Sequence, residues 1–211
     1  MKALTLIFSL LLLGGCAGGL QIDRQHPSAN HDSRVQWVVV HYTSTDVQHS
    51  LELLTRGGVS SHYLIGEAPA TIYQLVDENR RAWHAGDSQW RGRTWLNAST
   101  IGIELVNQGY ADTPAGRVWQ PYSEAQIDAL ILLLKDIVQR HHLPIDSIIG
   151  HSDIAPQRKS DPGPLFPWQQ LAQQGGALPP RDLLARQVLE RLIGEKAQLQ
   201  LARETGVRVD D

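Results

Sequence analysis

The chain is 211 residues long, 42% hydrophobic and 19% charged, with 19 basic and 22 acidic residues and a formal net charge of −3. That length builds one sizeable core rather than two. A small negative charge spread along the chain excludes the long-range positive field that gathers nucleic acid, so no nucleic-acid partner is expected.

Met1-Lys2 makes a short positive start, and residues 3–13 form an almost unbroken apolar run. A run of this length matches a signal segment and falls short of the roughly 20 residues that span a bilayer. Leu13-Gly14-Gly15-Cys16 ends the run and resembles the bacterial lipoprotein signal. The resemblance implies removal of residues 1–15 and lipidation of Cys16 as the new N-terminus. With Ala17 rather than aspartate next, it also implies an outer-membrane lipoprotein whose body faces the periplasm. Cys16 is the single cysteine, which excludes an intrachain disulfide. Residues 17–34 are polar and rich in Gly, Ser and Asn, the composition of a tether, so 16–34 is read as lipidated N-terminus plus tether.

The fold is expected to begin near Val35. Residues 35–40 are β-branched and aromatic, the pattern of a buried strand, with His41 at its exit. Val47, Leu51 and Leu54 space a short helix closed by Gly57-Gly58. Residues 62–65 and 71–76 are strand candidates joined by a turn with proline, and 101–106 is a fourth strand. Ser123 and Gln126 have capping-box spacing, and Ile127, Leu130, Ile131, Leu134, Ile137 and Val138 share one face of the helix that follows, up to Pro144. Residues 148–151 make a short strand with His151 at its exit, and 167–174 a last short helix. Strands in mixed order with helices on the faces set the class as α/β or α+β: a central mixed β-sheet flanked by helices. The domain is placed at 35–176, followed by a charged amphipathic helical extension over 177–211.

His41 and His151 stand at strand ends, and Asp161 lies in the proline-stiffened loop Lys159-Ser160-Asp161-Pro162-Gly163-Pro164. Two imidazoles and a carboxylate, with a fourth position for water, are the ligand set of a catalytic zinc rather than a closed structural one. Nine histidines in the chain leave other assignments open on spacing alone. Glu104 interrupts the apolar run Ile101-Gly102-Ile103-Glu104-Leu105-Val106. It either points to solvent from an edge strand or is held as a general base beside a metal, because a buried carboxylate needs such a reason.

Seven segments then occur in order: Val38-Val39-Val40-His41-Tyr42-Thr43, Ser60-Ser61-His62-Tyr63-Leu64-Ile65, Ala82-Trp83-His84-Ala85-Gly86-Asp87-Ser88, Trp90-Arg91-Gly92, Leu96-Asn97 leading to Thr100-Ile101-Gly102-Ile103-Glu104-Leu105, Gly150-His151-Ser152-Asp153, and the Lys159 to Pro164 loop. Together they resemble the zinc-dependent N-acetylmuramoyl-L-alanine amidases, a family that shares its domain with animal peptidoglycan recognition proteins, over residues 35–171. The resemblance implies one zinc ion per chain, held by His41, His151 and Asp161, with Glu104 as proton acceptor and Lys159 stabilising an oxyanion. It also implies a cleft where His84, Trp83, Trp90 and Asn97 contact glycan or peptide stem, although both tryptophans equally suit packing and Lys159, by sequence alone, suits a solvated loop better. Catalytic parts for His62 and Tyr63 stay open.

The implied substrate is the amide between muramic acid, ordinary or 1,6-anhydro, and L-alanine, with peptidoglycan and its muropeptides as partners. The alternatives are a non-catalytic peptidoglycan-binding module of the same fold and a metallopeptidase of the stem. Residues 177–211 are too few for a core of their own, and resemble part of a parvulin-type periplasmic chaperone.

Overall fold

The computed structural model describes residues 22–174. The expected signal segment, Cys16 and the 177–211 extension lie outside them. Residues 22–32 belong to a separate unit, exposed and without regular structure, with local contacts such as Gln25 N–H to Asp23 Oδ1 at 2.8 Å.

The second unit, from Ser33 onward, is built on a sheet. Strand β1 runs Trp37–Tyr42, two residues later than expected at both ends, so His41 lies inside the strand rather than past it. Helix α1 covers Val47–Arg56, with Asp46 at its N-cap accepting from His49 N–H at 2.9 Å. Then come β2 (Tyr63–Ile65), β3 (Ile72–Gln74), a hairpin of β4 (Gln89–Trp90) and β5 (Arg93–Thr94), a 3₁₀ turn at Leu96–Ala98, and β6 (Thr100–Leu105). A second hairpin, β7 (Tyr110–Thr113) and β8 (Gly116–Trp119), precedes helix α2 (Glu124–His141). Strand β9 (Ile148–Gly150), helix α3 (His151–Ile154) and helix α4 (Trp168–Gln174) complete the order. Neither hairpin was marked by alternation long enough to read from the chain.

Five strands pair in the order β3-β2-β6-β1-β9. β2, β6, β1 and β9 are parallel, and β3 joins the edge antiparallel. The sheet is therefore mixed, as expected. Its two faces separate by alternation along β1 and β6. Val38, Val40, Ile101, Ile103 and Leu105 face α2, whose Ile127, Leu130, Ile131, Leu134 and Ile137 cover them. Each such side chain fully removed from water contributes about 1.5–3 kcal/mol, so this layer is the main source of stability. The opposite face carries Trp37, Val39 and Ile149 under Ala85, Leu96 and Ile154.

Ser123 caps α2, accepting from Gln126 N–H at 3.2 Å, but the reciprocal half of the expected capping box is absent. The Gln126 amide turns inward and donates to Ile65 O at 3.1 Å and Val106 O at 2.9 Å, joining helix to sheet at full burial. The buried carbonyls that end β2 and follow β6 take the amide as their donor, so the half-buried Ser123 N–H goes without the Gln126 side chain as acceptor.

Candidate active site

Four parallel strands end at one edge of the sheet, the edge at which open α/β sheets place ligands. His41 of β1 and Glu104 of β6 are register partners, so both side chains leave the same face side by side. His151 starts α3 directly after β9, the other neighbour of β1. Asp161 arrives from the loop after α3, where Ser152 N–H donates to Asp161 O at 2.8 Å and Tyr122 Oη–H donates to Pro162 O at 2.7 Å. Gly150 is needed here: a Cβ on it would stand 2.7 Å from Pro162 Cδ and push the loop away.

His41 Nδ1, His151 Nδ1 and Asp161 Oδ2 come within 2.9–3.0 Å of one another, all buried. The edge of a tetrahedron of zinc ligands is roughly 3.3 Å, so this triangle needs only a small expansion to become a metal site. A proton links one pair of these atoms at a time, whereas a cation satisfies all three. The three residues form a group able to hold a metal ion. Burial lowers the His41 pKa to about 4, keeping the ring neutral, the form that coordinates. Burial works to raise the Asp161 pKa, but its close contacts with His151 and His41 outweigh burial and hold the carboxyl below its ordinary range.

Glu104 does not face bulk solvent. Its Oε2 is buried and without a hydrogen-bond partner, and burial first, then the Asp161 charge, push its pKa up to about 8 against the pull of Lys159. Such a carboxyl is poised to take a proton near neutral pH. Lys159 is exposed at the rim of the same cleft, an opening of about 350 Å³ that also meets Trp83, Tyr110 and Arg158.

The expected substrate contacts divide. Trp83 is 57% exposed and lines the cleft. His84 borders the cleft, but its Nδ1 lies 3.0 Å from His41 Nε2 and its Nε2 lies 3.1 Å from Thr100 Oγ1, leaving neither nitrogen for a substrate. Asn97 Oδ1 accepts from His84 N–H at 3.0 Å and Ala85 N–H at 2.7 Å, so it shapes the 82–86 loop. Trp90 packs against the layer of Trp37, Val39 and Leu96. His62 accepts from Gly102 N–H at 3.0 Å and donates to Arg80 O at 3.1 Å, while Tyr63 turns to the α2 face and donates to Glu78. Both are thus engaged away from the cleft.

Two participants escaped the sequence reading. Arg158 donates to Ala85 O at 2.5 Å and to Asp87 O, and Ala85 O also accepts from His151 Nε2–H at 3.3 Å, tying the 82–86 loop to a triad residue. Gly102 brings the His84 ring onto β6, since a Cβ there would lie 2.4 Å from His84 Cγ. A lone glycine inside a strand marks such a close approach, and was the available signal.

The likeness to known proteins follows the same residues. A family model described as N-acetylmuramoyl-L-alanine amidase matches residues 31–164, and one described as the SurA N-terminal domain matches residues 167–211. The chain is 48% identical over 189 residues to the N-acetylmuramoyl-L-alanine amidase AmiD of Escherichia coli (strain K12), covering 82% of this chain and 68% of that protein. The structure of E. coli AmiD in complex with the substrate anhydro-N-acetylmuramic acid-L-Ala-D-gamma-Glu-L-Lys superimposes with a TM-score of 0.71 at 49% identity, covering 75% of this chain and 64% of that one. AmpDh3 of Pseudomonas aeruginosa in complex with anhydromuramic pentapeptide gives a TM-score of 0.68 at 36% identity, covering 80% and 78%. This chain thus spans about two thirds of the length of AmiD. With the family match running from before β1 into the Asp161 loop, and so across all three residues of the triad, the chain belongs to the N-acetylmuramoyl-L-alanine amidase family.

Proposed function

We propose that this chain is a zinc-dependent hydrolase that cleaves the amide between N-acetylmuramic acid, ordinary or 1,6-anhydro, and the L-alanine of peptidoglycan stem peptides. The observation that carries this reading is the pairing of His41 with Glu104 in register beside His151 and Asp161, with Glu104 lining the cleft and its buried Oε2 unpartnered. The muramyl peptides bound by AmiD and AmpDh3 support the substrate class.

His41, His151 and Asp161 would hold the ion. When bound, zinc supplies Lewis acidity to the scissile carbonyl and to the attacking water. Glu104 accepts the proton of that water and returns it to the departing alanine nitrogen, so that hydrolysis frees a lactyl carboxylate and an amine. Its raised proton affinity suits both halves of the transfer. Lys159, at the rim, offsets the charge that gathers on the carbonyl oxygen. Trp83 offers an exposed indole face to the sugar or stem.

The experiment is to quantify zinc in the purified protein and incubate it with an anhydromuramyl tripeptide. The expected products are anhydro-N-acetylmuramic acid and a peptide with a free L-alanine amine, identified by mass spectrometry. A metal-free, inert protein that still binds the tripeptide would instead establish a binding module.

The same reading makes the chain an outer-membrane lipoprotein anchored through Cys16, on the strength of the Leu13-Gly14-Gly15-Cys16 segment. Replacing Cys16→Ser is expected to move the protein from the membrane fraction to the soluble periplasm. Retention in the outer membrane would refute the anchor.

A further inference from the structure

Hydrogen-bond direction around His41 can be worked out from its far end. Leu96 O only accepts, so the Thr100 hydroxyl, 2.8 Å away, points its hydrogen there. Thr100 Oγ1 therefore receives a hydrogen from His84 Nε2 at 3.1 Å. A neutral His84 then has a bare Nδ1, and a charged ring is disfavoured because it is buried and spends its nitrogens on an imidazole and a hydroxyl rather than on a carboxylate. That bare Nδ1 accepts from His41 Nε2–H at 3.0 Å. His41 is left with its lone pair on Nδ1, the atom that meets His151 and Asp161. His151 reaches the same state by a shorter path, its Nε2–H donating to Ala85 O.

We propose that His84 is a positioning residue for the metal rather than a substrate contact: with Thr100 and Leu96 O it forms a relay that locks His41 in the tautomer and orientation whose Nδ1 faces the ion. The inference rests on the zinc reading above. The relay is held by the fold. Gly102 leaves room for the His84 ring against β6, Asn97 Oδ1 pins the backbone of His84 and Ala85, and Thr100 opens β6 two residues before Gly102 on the same face. Outer partners of this kind set the basicity and aim of a metal-bound imidazole, and their loss costs 10- to 100-fold in metal affinity.

The test compares zinc dissociation constants, by competition with a chromogenic chelator, in the full chain and three variants. His84→Gln keeps an oxygen able to accept from His41 Nε2–H and is expected to bind zinc within about threefold of the parent. His84→Leu keeps comparable bulk without an acceptor and is expected to bind 10- to 100-fold more weakly. Thr100→Val, which removes only the hydroxyl, is expected to weaken zinc in the same direction by several-fold, and covers the case in which His84→Leu does not fold. Long-range proton–nitrogen NMR of the zinc-loaded protein should show His41 and His84 both protonated on Nε2.

Equal affinities for His84→Gln and His84→Leu, an unchanged affinity in Thr100→Val, or a His84 protonated on Nδ1 would each overturn the relay. Those outcomes leave zinc binding by the parent intact. Failure of the parent itself to bind zinc sinks the functional reading instead.

Discussion

At Glu104 the chain places a carboxyl where folding and catalysis pull in opposite directions. Substituting Glu104→Gln keeps the shape and removes the proton acceptor, so turnover of the muramyl peptide should fall 10²- to 10⁴-fold while zinc content stays at the parent level. Burial and Asp161 raise this carboxyl from 4.5 to about 8 in the folded protein without metal. Between those two values the folded chain holds a proton that the unfolded chain releases. The stability this contributes is complete below pH 4.5 and disappears as the pH climbs through 8. Metal-free Glu104→Gln should therefore match the parent near pH 4 and exceed it by about 1 kcal/mol or more at pH 8, measured by urea denaturation. A parent protein whose pH slope equals that of the variant would show that the carboxyl is solvated after all. The 82–86 loop illustrates the same scale from the other side. Its tryptophan and histidine are adjacent in sequence, yet Trp83 is turned to the cleft and His84 into the sheet.

Among the elements, α2 shows how a helix is joined to a sheet by more than its apolar stripe. The Gln126 amide holds the carbonyls of Ile65 and Val106, which end β2 and follow β6 beside Glu104. Gln126→Leu leaves Val106 O without the amide that donates to it, at about 1–3 kcal/mol less what the new apolar contact returns, while Ile65 O keeps the Val106 N–H at 2.9 Å. The expected net loss is about 1 kcal/mol, read as a lower denaturation midpoint with unchanged slope. No loss would mean that water replaces the amide. The stripe itself was legible because six apolar side chains recur at helical spacing, whereas the inward turn of Gln126 was not. Its position in the capping-box pattern pointed to Ser123 N–H, and the competing acceptors belong to strands 20 and 61 residues away.

For the whole molecule, the boundary at the C-terminal end carries the main consequence. Leu171 of α4 is 1% exposed and Phe166 4%, both within the core under α2, so the SurA-like match beginning at residue 167 overlaps structure that the amidase unit uses. A chain ended after Gly176 is expected to keep its zinc stoichiometry and its turnover, whereas one ended after Gly163 should lose solubility as Phe166 and Leu171 leave the core. Loss of metal from the longer truncation would show that residues 177–211 belong to the catalytic unit.

Local pattern by itself determined the apolar face of α2, the strand at the start of the fold, the strand around Glu104 and the seven ordered segments that resemble an amidase, since each depends on neighbours along the chain. The class of the sheet followed from those elements. Tertiary structure alone decided which histidines meet. His41 and His151 are 110 residues apart, and parallel pairing of β1 with β9 brings them to one edge, while Asn97 and Gly102 seat His84 beside them. It also decided that Trp90 and Asn97 support the cleft from behind and that His62 and Tyr63 stay out of it. Side-chain direction at these positions is set by what lies across the sheet, and contacts between remote strands leave no periodic trace in the order of residues.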